Sequence, residues 1–124
     1  MMRCKLLLLL LLSLPLFAQN SVTTANGLTS TGQNIITTSG HVLLGWTFAV
    51  GGTACFVQFF NTAIANVSVG TTAPNLVVYV PASTGVTATF YYPVAFSTAL
   101  SIASTITATG SSTCTVAAAA IYWR

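Results

Sequence analysis

The sequence predicts an all-β protein, an antiparallel β-sandwich of about seven strands in one domain. Two observations carry that reading and a third agrees with it. Residues 86–92 and 100–107 alternate apolar and polar side chains with the period of two expected of a half-buried strand. Turn residues recur between such runs, at Asn26-Gly27, Gly51-Gly52, Ser83-Thr84-Gly85 and Gly110-Ser111-Ser112. The composition, 54% hydrophobic and 2% charged, is the reverse of the signature of disorder. A closed barrel is the alternative that the same strand pattern allows.

Residues 1–18 begin with Arg3 and Lys5, continue through leucines at positions 6–12, and reach Ser13, Pro15 and the small residue Ala18 before Gln19. A basic start, a short apolar run and a small residue at the cleavage point are the layout of a secretory signal peptide. The run falls short of the roughly 20 apolar residues that span a bilayer, which disfavours a membrane anchor. A lipoprotein would carry cysteine just after cleavage; Gln19 and Asn20 stand there, and Cys4 lies too early.

Residues 19–40 are polar and Thr-rich, and read as either a flexible arm or an irregular first strand ending at Ile35-Ile36. As an arm, the stretch is suited to pairing with the open sheet edge of a neighbouring copy. The sandwich domain proper is placed at 41–124. Residues 41–60 are the most apolar stretch after the leader. Gly45, Thr47, Gly51, Gly52, Thr53 and Gln58 interrupt it, so two strands, 42–50 and 54–60, are expected as a hairpin about Gly51-Gly52 rather than a spanning helix.

Residues 61–74 read as a connection. A strand at 75–81 is ended by Pro81, and one at 86–92 by Pro93. In the latter, Val86, Ala88 and Phe90 face one way and Thr87, Thr89 and Tyr91 the other. Residues 100–107 form the next strand, with Leu100, Ile102 and Ile106 on one face. At 113–123 four alanines favour helix by propensity, while Thr113, Thr115, Val116, Ile121, Tyr122 and Trp123 favour strand. Strand is expected, since the run continues a series of strands. The architecture is then immunoglobulin-like or jelly-roll-like.

Charge bounds function. After removal of the leader, about 106 residues retain one charged side chain, Arg124, and there is no Asp or Glu anywhere. Paired-carboxylate glycoside chemistry, a Ser-His-Asp triad and acidic calcium or magnesium sites are excluded. The lone His41 has no acidic orienter, and two cysteines with one distant histidine lack metal-ligand spacing. The chain reads as a non-enzyme with no catalytic residues, no metal and no cofactor. Nucleic-acid binding needs clustered Lys and Arg, which are missing. A surface covered by Thr, Ser, Asn and Gln carries no charge to keep copies apart, which favours a homo-oligomer or polymer.

Cys4 leaves with the leader, so Cys55 and Cys114 remain. In an exported domain they are candidates for one intramolecular disulfide. Closing a loop of about 60 residues contributes roughly 4 kcal/mol in the chain-entropy model. Two buried free thiols and an intermolecular bridge are the other arrangements. Most aromatic residues are needed as core filler, but Tyr91 and Tyr92 before Pro93 are candidates for an exposed patch that binds a surface glycan or a partner. Asn66-Val67-Ser68 fits the glycosylation acceptor pattern.

The segment 59–103 carries a family resemblance. Its residues are Asn61, Val69-Gly70-Thr71, Pro74, Val80-Pro81-Ala82 and Phe96-Ser97-Thr98-Ala99-Leu100-Ser101-Ile102-Ala103. In this order the segment resembles small β-sandwich proteins carried by tailed bacteriophages and prophages. Such proteins look like virion surface or accessory components, so the resemblance implies a sandwich fold, a structural role and no catalytic residues. Ala99 stands where those proteins carry glycine, and the signal peptide also sets this chain apart. The expectation is a secreted structural subunit, extracellular, surface-bound or periplasmic, that self-associates into a surface or virion-like assembly. The alternative is a carbohydrate- or cell-surface-binding module.

Overall fold

The computed structural model describes residues 20–124, so the signal peptide read at 1–18 lies outside the described residues. Among the described residues eight strands form: β1 (Ser21–Thr24), β2 (Gln33–Ile36), β3 (His41–Val50), β4 (Cys55–Phe60), β5 (Leu76–Val80), β6 (Gly85–Phe96), β7 (Leu100–Thr105) and β8 (Val116–Trp123). They make two four-stranded sheets, ordered β1-β8-β3-β6 and β2-β7-β4-β5, and every pairing is antiparallel. Every connection except β4 to β5 crosses from one sheet to the other. That order is the jelly roll's. The sheets do not close on each other, so the structure is a sandwich and not a barrel.

The expected hairpin of residues 42–50 and 54–60 does not form. β3 lies between β8 and β6 in one sheet, and β4 lies between β7 and β5 in the other. Packing gives the reason. Trp46 and Phe48 from β3 meet Phe59 of β4 across the core, with ring centroids 5.5 and 6.0 Å apart. In a hairpin these rings would stand side by side in one sheet and leave β2, β5 and β7 to fill the opposite layer with aliphatic residues alone. Residues 51–54 suffice to cross the roughly 10 Å between packed sheets. Phe48 and Phe59 are both fully buried, each contributing roughly 2–3 kcal/mol relative to exposure.

The stretch read as either an arm or an irregular first strand ending at Ile35-Ile36 enters the sandwich: its described residues 20–40 supply β1 and β2, and β2 ends at Ile36. β1 pairs with β8 from Ser21↔Trp123 to Thr24↔Ala120, and β2 pairs with β7. Between them, Leu28 exchanges backbone hydrogen bonds with Val116, while the Thr29 carbonyl accepts from the Ser104 amide. The segment therefore binds both sheets and closes one lateral side. Ala25, Leu28, Ile35 and Ile36 are buried there. Averaging over so many threonines hides these apolar positions.

β7 is buried at all six residues. Leu100 and Ile102 belong to the core. The opposite face is covered by the long β4–β5 connection, in which Ile64–Asn66 form a 3-10 turn. The Ser101 hydroxyl donates to the Thr62 carbonyl, and the Ile64 amide donates to Asn34 Oδ1. Gln58 of β4 is fully buried. Its Nε2 donates to Thr105 Oγ1 at 2.8 Å and to the Gly110 carbonyl at 3.2 Å, while its Oε1 has no protein partner. The alanines of β8 adopt strand because that run lies between β1 and β3, where tertiary pairing overrides helix propensity.

Candidate interaction surface

β6 continues through Pro93 to Phe96 instead of stopping at residue 92. Proline is tolerated because β6 is an edge strand with β3 on one side only. The register jumps there. Gly45 pairs with Thr89 and Leu43 with Val94, so residues 90–93 oppose Leu44 alone. This extra length bulges outward. Phe90 still turns in and packs edge-on against Trp46, with centroids 4.9 Å apart.

Tyr91 and Tyr92 occupy the top of the bulge, 89% and 81% exposed. Their rings meet edge to face at 4.8 Å. Val94, also exposed, follows them. The two candidate patch residues are thus together and open to solvent. The patch itself offers a ligand ring faces and phenol hydroxyls; Arg124, the one charged side chain of residues 20–124, is on the far side of β3, its backbone bonded to Val42.

Cys55 and Cys114 are disulfide-bonded, with Cα atoms 5.7 Å apart. Cys55 opens β4, and Cys114 lies two residues before β8. The bridge therefore joins the two sheets at the end of the sandwich where β3 passes to β4. It fits an oxidising, non-cytoplasmic compartment. Among the described residues, no helix is long and apolar enough to cross a membrane.

An open depression of about 460 Å³ lies beside the bridge, lined by Gly51, Gly52, Thr53, Ile106, Thr113 and Thr115, among others. Its walls offer hydroxyl and backbone groups but no acid or base. His41 is remote from it, at the start of β3. Its Nε2 lies 2.9 Å from Thr38 Oγ1, and its ring packs edge-on against Trp123 at 4.9 Å. Asn66, the glycosylation acceptor position, is exposed. Among the described residues no three His, Cys, Asp or Glu side chains come together.

Several residues that carry the phage-like resemblance act as structural ties. Asn61 Oδ1 accepts from the Thr98 amide at 2.9 Å, and its Nδ2 donates to Ser97 Oγ at 3.0 Å. Its own amide donates to Asn75 Oδ1 at 2.8 Å. One side chain thus fixes the end of β4 to the β6–β7 turn. Ala99 needs no glycine, because Ser83 is the one non-glycine residue with positive φ among the described residues.

The fold and this surface define the protein's class: a disulfide-tied jelly roll with an aromatic bulge on one sheet edge. No family model matches the chain, and no curated protein or solved structure matches it significantly.

Proposed function

We propose that this chain is a secreted, non-catalytic structural subunit that self-associates into an extracellular, surface or virion-like assembly. The observation that carries the reading is the uncharged exterior. Across residues 20–124 the only charged side chain is Arg124, so two copies approach without electrostatic repulsion and with little charge to desolvate. Fold analogy agrees, since jelly rolls recur in viral capsid proteins. The test is negative-stain electron microscopy with sedimentation of the chain exported to an oxidising compartment. Regular filaments, rings or sheets are expected; a dispersed monomer at high concentration would sink the reading.

Tyr91 and Tyr92 favour a second reading, a module that binds carbohydrate or a cell surface. Two adjacent exposed rings can stack on sugar faces, and lectins also use jelly rolls. This reading expects a monomer whose retention on a glycan array is lost in Tyr91→Ala and Tyr92→Ala.

A further inference from the structure

We infer that the free edge of β6 is the self-association surface, and that two copies pair there antiparallel about a twofold axis at Thr87. The inference rests on the self-assembly reading and names the contact of its dimeric unit; a twofold contact closes on itself, so a filament, ring or sheet is built from such dimers through a second contact.

The sandwich is closed on one side and open on the other. The β1–β2 side is bridged by the Ala25 to Leu28 segment, with its apolar residues buried. On the β5–β6 side, the inward-facing Leu76, Val78, Val86, Ala88 and Phe90 remain partly exposed. Both strands on that side are sheet edges.

The direction of the β6 backbone follows from its pairing. Val50 donates its amide to the Thr84 carbonyl, so Thr84 and, in steps of two, Val86 and Ala88 point their polar groups at β3. Gly85, Thr87 and Thr89 point theirs at the open side. Those three are also exposed.

This edge is complementary to itself. With Thr87 opposite Thr87 of a second copy, Gly85 lies opposite Thr89. Every outward amide then meets an outward carbonyl, as in the hydrogen-bonded pairs of an antiparallel ladder. No charge on either copy opposes the contact. The ladder has fixed limits. Beyond Thr89 the four-residue bulge interrupts it, and before Gly85 the chain turns at Ser83, whose φ is 55°. The product is one continuous eight-stranded sheet, with the half-exposed Val86 and Ala88 covered at the seam. Edge strands without charge or bulge invite such pairing, and residues 85–89 have neither.

A charge swap tests the register. Thr87→Lys and Thr87→Glu place like charges opposite each other at the axis, and each weakens self-association about tenfold or more, by sedimentation. Mixing the two variants restores association. Thr24→Lys, on the exposed face of β1 at the far edge of the same sheet, adds the same charge and leaves association intact. Circular dichroism confirms that each variant is folded. Wild-type protein that assembles while the Thr87 variants assemble equally well overturns this interface and leaves the structural-subunit reading standing. The same holds if Thr24→Lys is as disruptive as Thr87→Lys, or if the mixed pair stays apart. A wild-type chain that is monomeric at high concentration overturns both.

Discussion

Cys55 and Cys114, separated by 59 positions in the chain, are covalently joined and connect the first residue of β4 to the approach of β8. The bond crosses between sheets that otherwise meet through packing and loops. Near it, Ser104 of β7 donates its hydroxyl to the Cys114 and Leu28 carbonyls. The bridge, β7 and the β1–β2 crossing therefore share one end of the sandwich.

Removing the bridge has a predictable cost. The double variant Cys55→Ala/Cys114→Ala is expected to lose roughly 4 kcal/mol, the loop-closure contribution for a loop of this length. Urea unfolding of variant and oxidised wild type checks it, and reduced wild type should move the same way. A difference below about 1 kcal/mol contradicts the chain-entropy account.

Reading residues 1–18 as a signal peptide predicts a processed protein. Intact-mass measurement of the chain recovered after export should show loss of residues 1–18, with Gln19 at the new terminus. Retention of the leucine run in a membrane fraction would show that it acts as an anchor.

Neighbouring aromatic residues on β6 should respond differently to truncation. Tyr91→Ala and Tyr92→Ala remove exposed rings and should change stability by no more than about 0.5 kcal/mol. Phe90→Ala removes a ring packed on Trp46 and should cost about 2 kcal/mol, less than full burial would because the residue is partly exposed. Thermal unfolding of the three variants separates them. Equal losses at all three would mean the bulge packs as a unit.

Asn61 has a role that its loop position conceals. Asn61→Ala leaves the Thr98 amide without its acceptor and frees the β6–β7 turn from β4. The expected loss is about 1–2 kcal/mol. Asn61→Asp keeps an acceptor for Thr98 and should recover part of it. Amide exchange at Thr98 reports the contact directly, with faster exchange expected in the alanine variant.

What was legible in the sequence follows from what local pattern encodes. The alternation of Val86, Ala88 and Phe90 with Thr87, Thr89 and Tyr91 reports which face is inward, and those faces are as read. Period says nothing about which strand is the neighbour. That is why consecutive apolar strands suggested a hairpin, while the core needed Phe48 and Phe59 on opposite sheets. β1 was obscured because few apolar residues anchor it among threonines, whereas Ile35-Ile36 marked the end of β2. Pro93 signalled a stop only because edge position, a property of the whole sheet, cannot be read locally. Tyr91 and Tyr92 were legible as a pair through their place before Pro93. The open backbone edge at Gly85, Thr87 and Thr89 left no mark in residue type.

Gln58, whose Nε2 donates to Gly110 of the β7–β8 connection, gives the clearest test of the interior that this connection covers. The chain has no Asp or Glu, so the usual source of acid unfolding is missing. Wild-type stability should stay nearly constant between about pH 3 and pH 5, the range where carboxylates titrate. Gln58→Glu places a carboxyl in a fully buried position, beside the Gly110 carbonyl that Nε2 now contacts. Burial disfavours its charged form and raises its folded-state pKa above the unfolded value of about 4.3. Stability is therefore retained in full below that unfolded value. It declines as pH rises and levels off once pH exceeds the folded-state pKa. The variant should approach wild type near pH 3 and fall about 3 kcal/mol or more below it at pH 7, as expected for an uncompensated buried charge. Urea midpoints measured across this range check the slope. A flat profile for Gln58→Glu would mean that water reaches position 58 and that the covering connection opens readily.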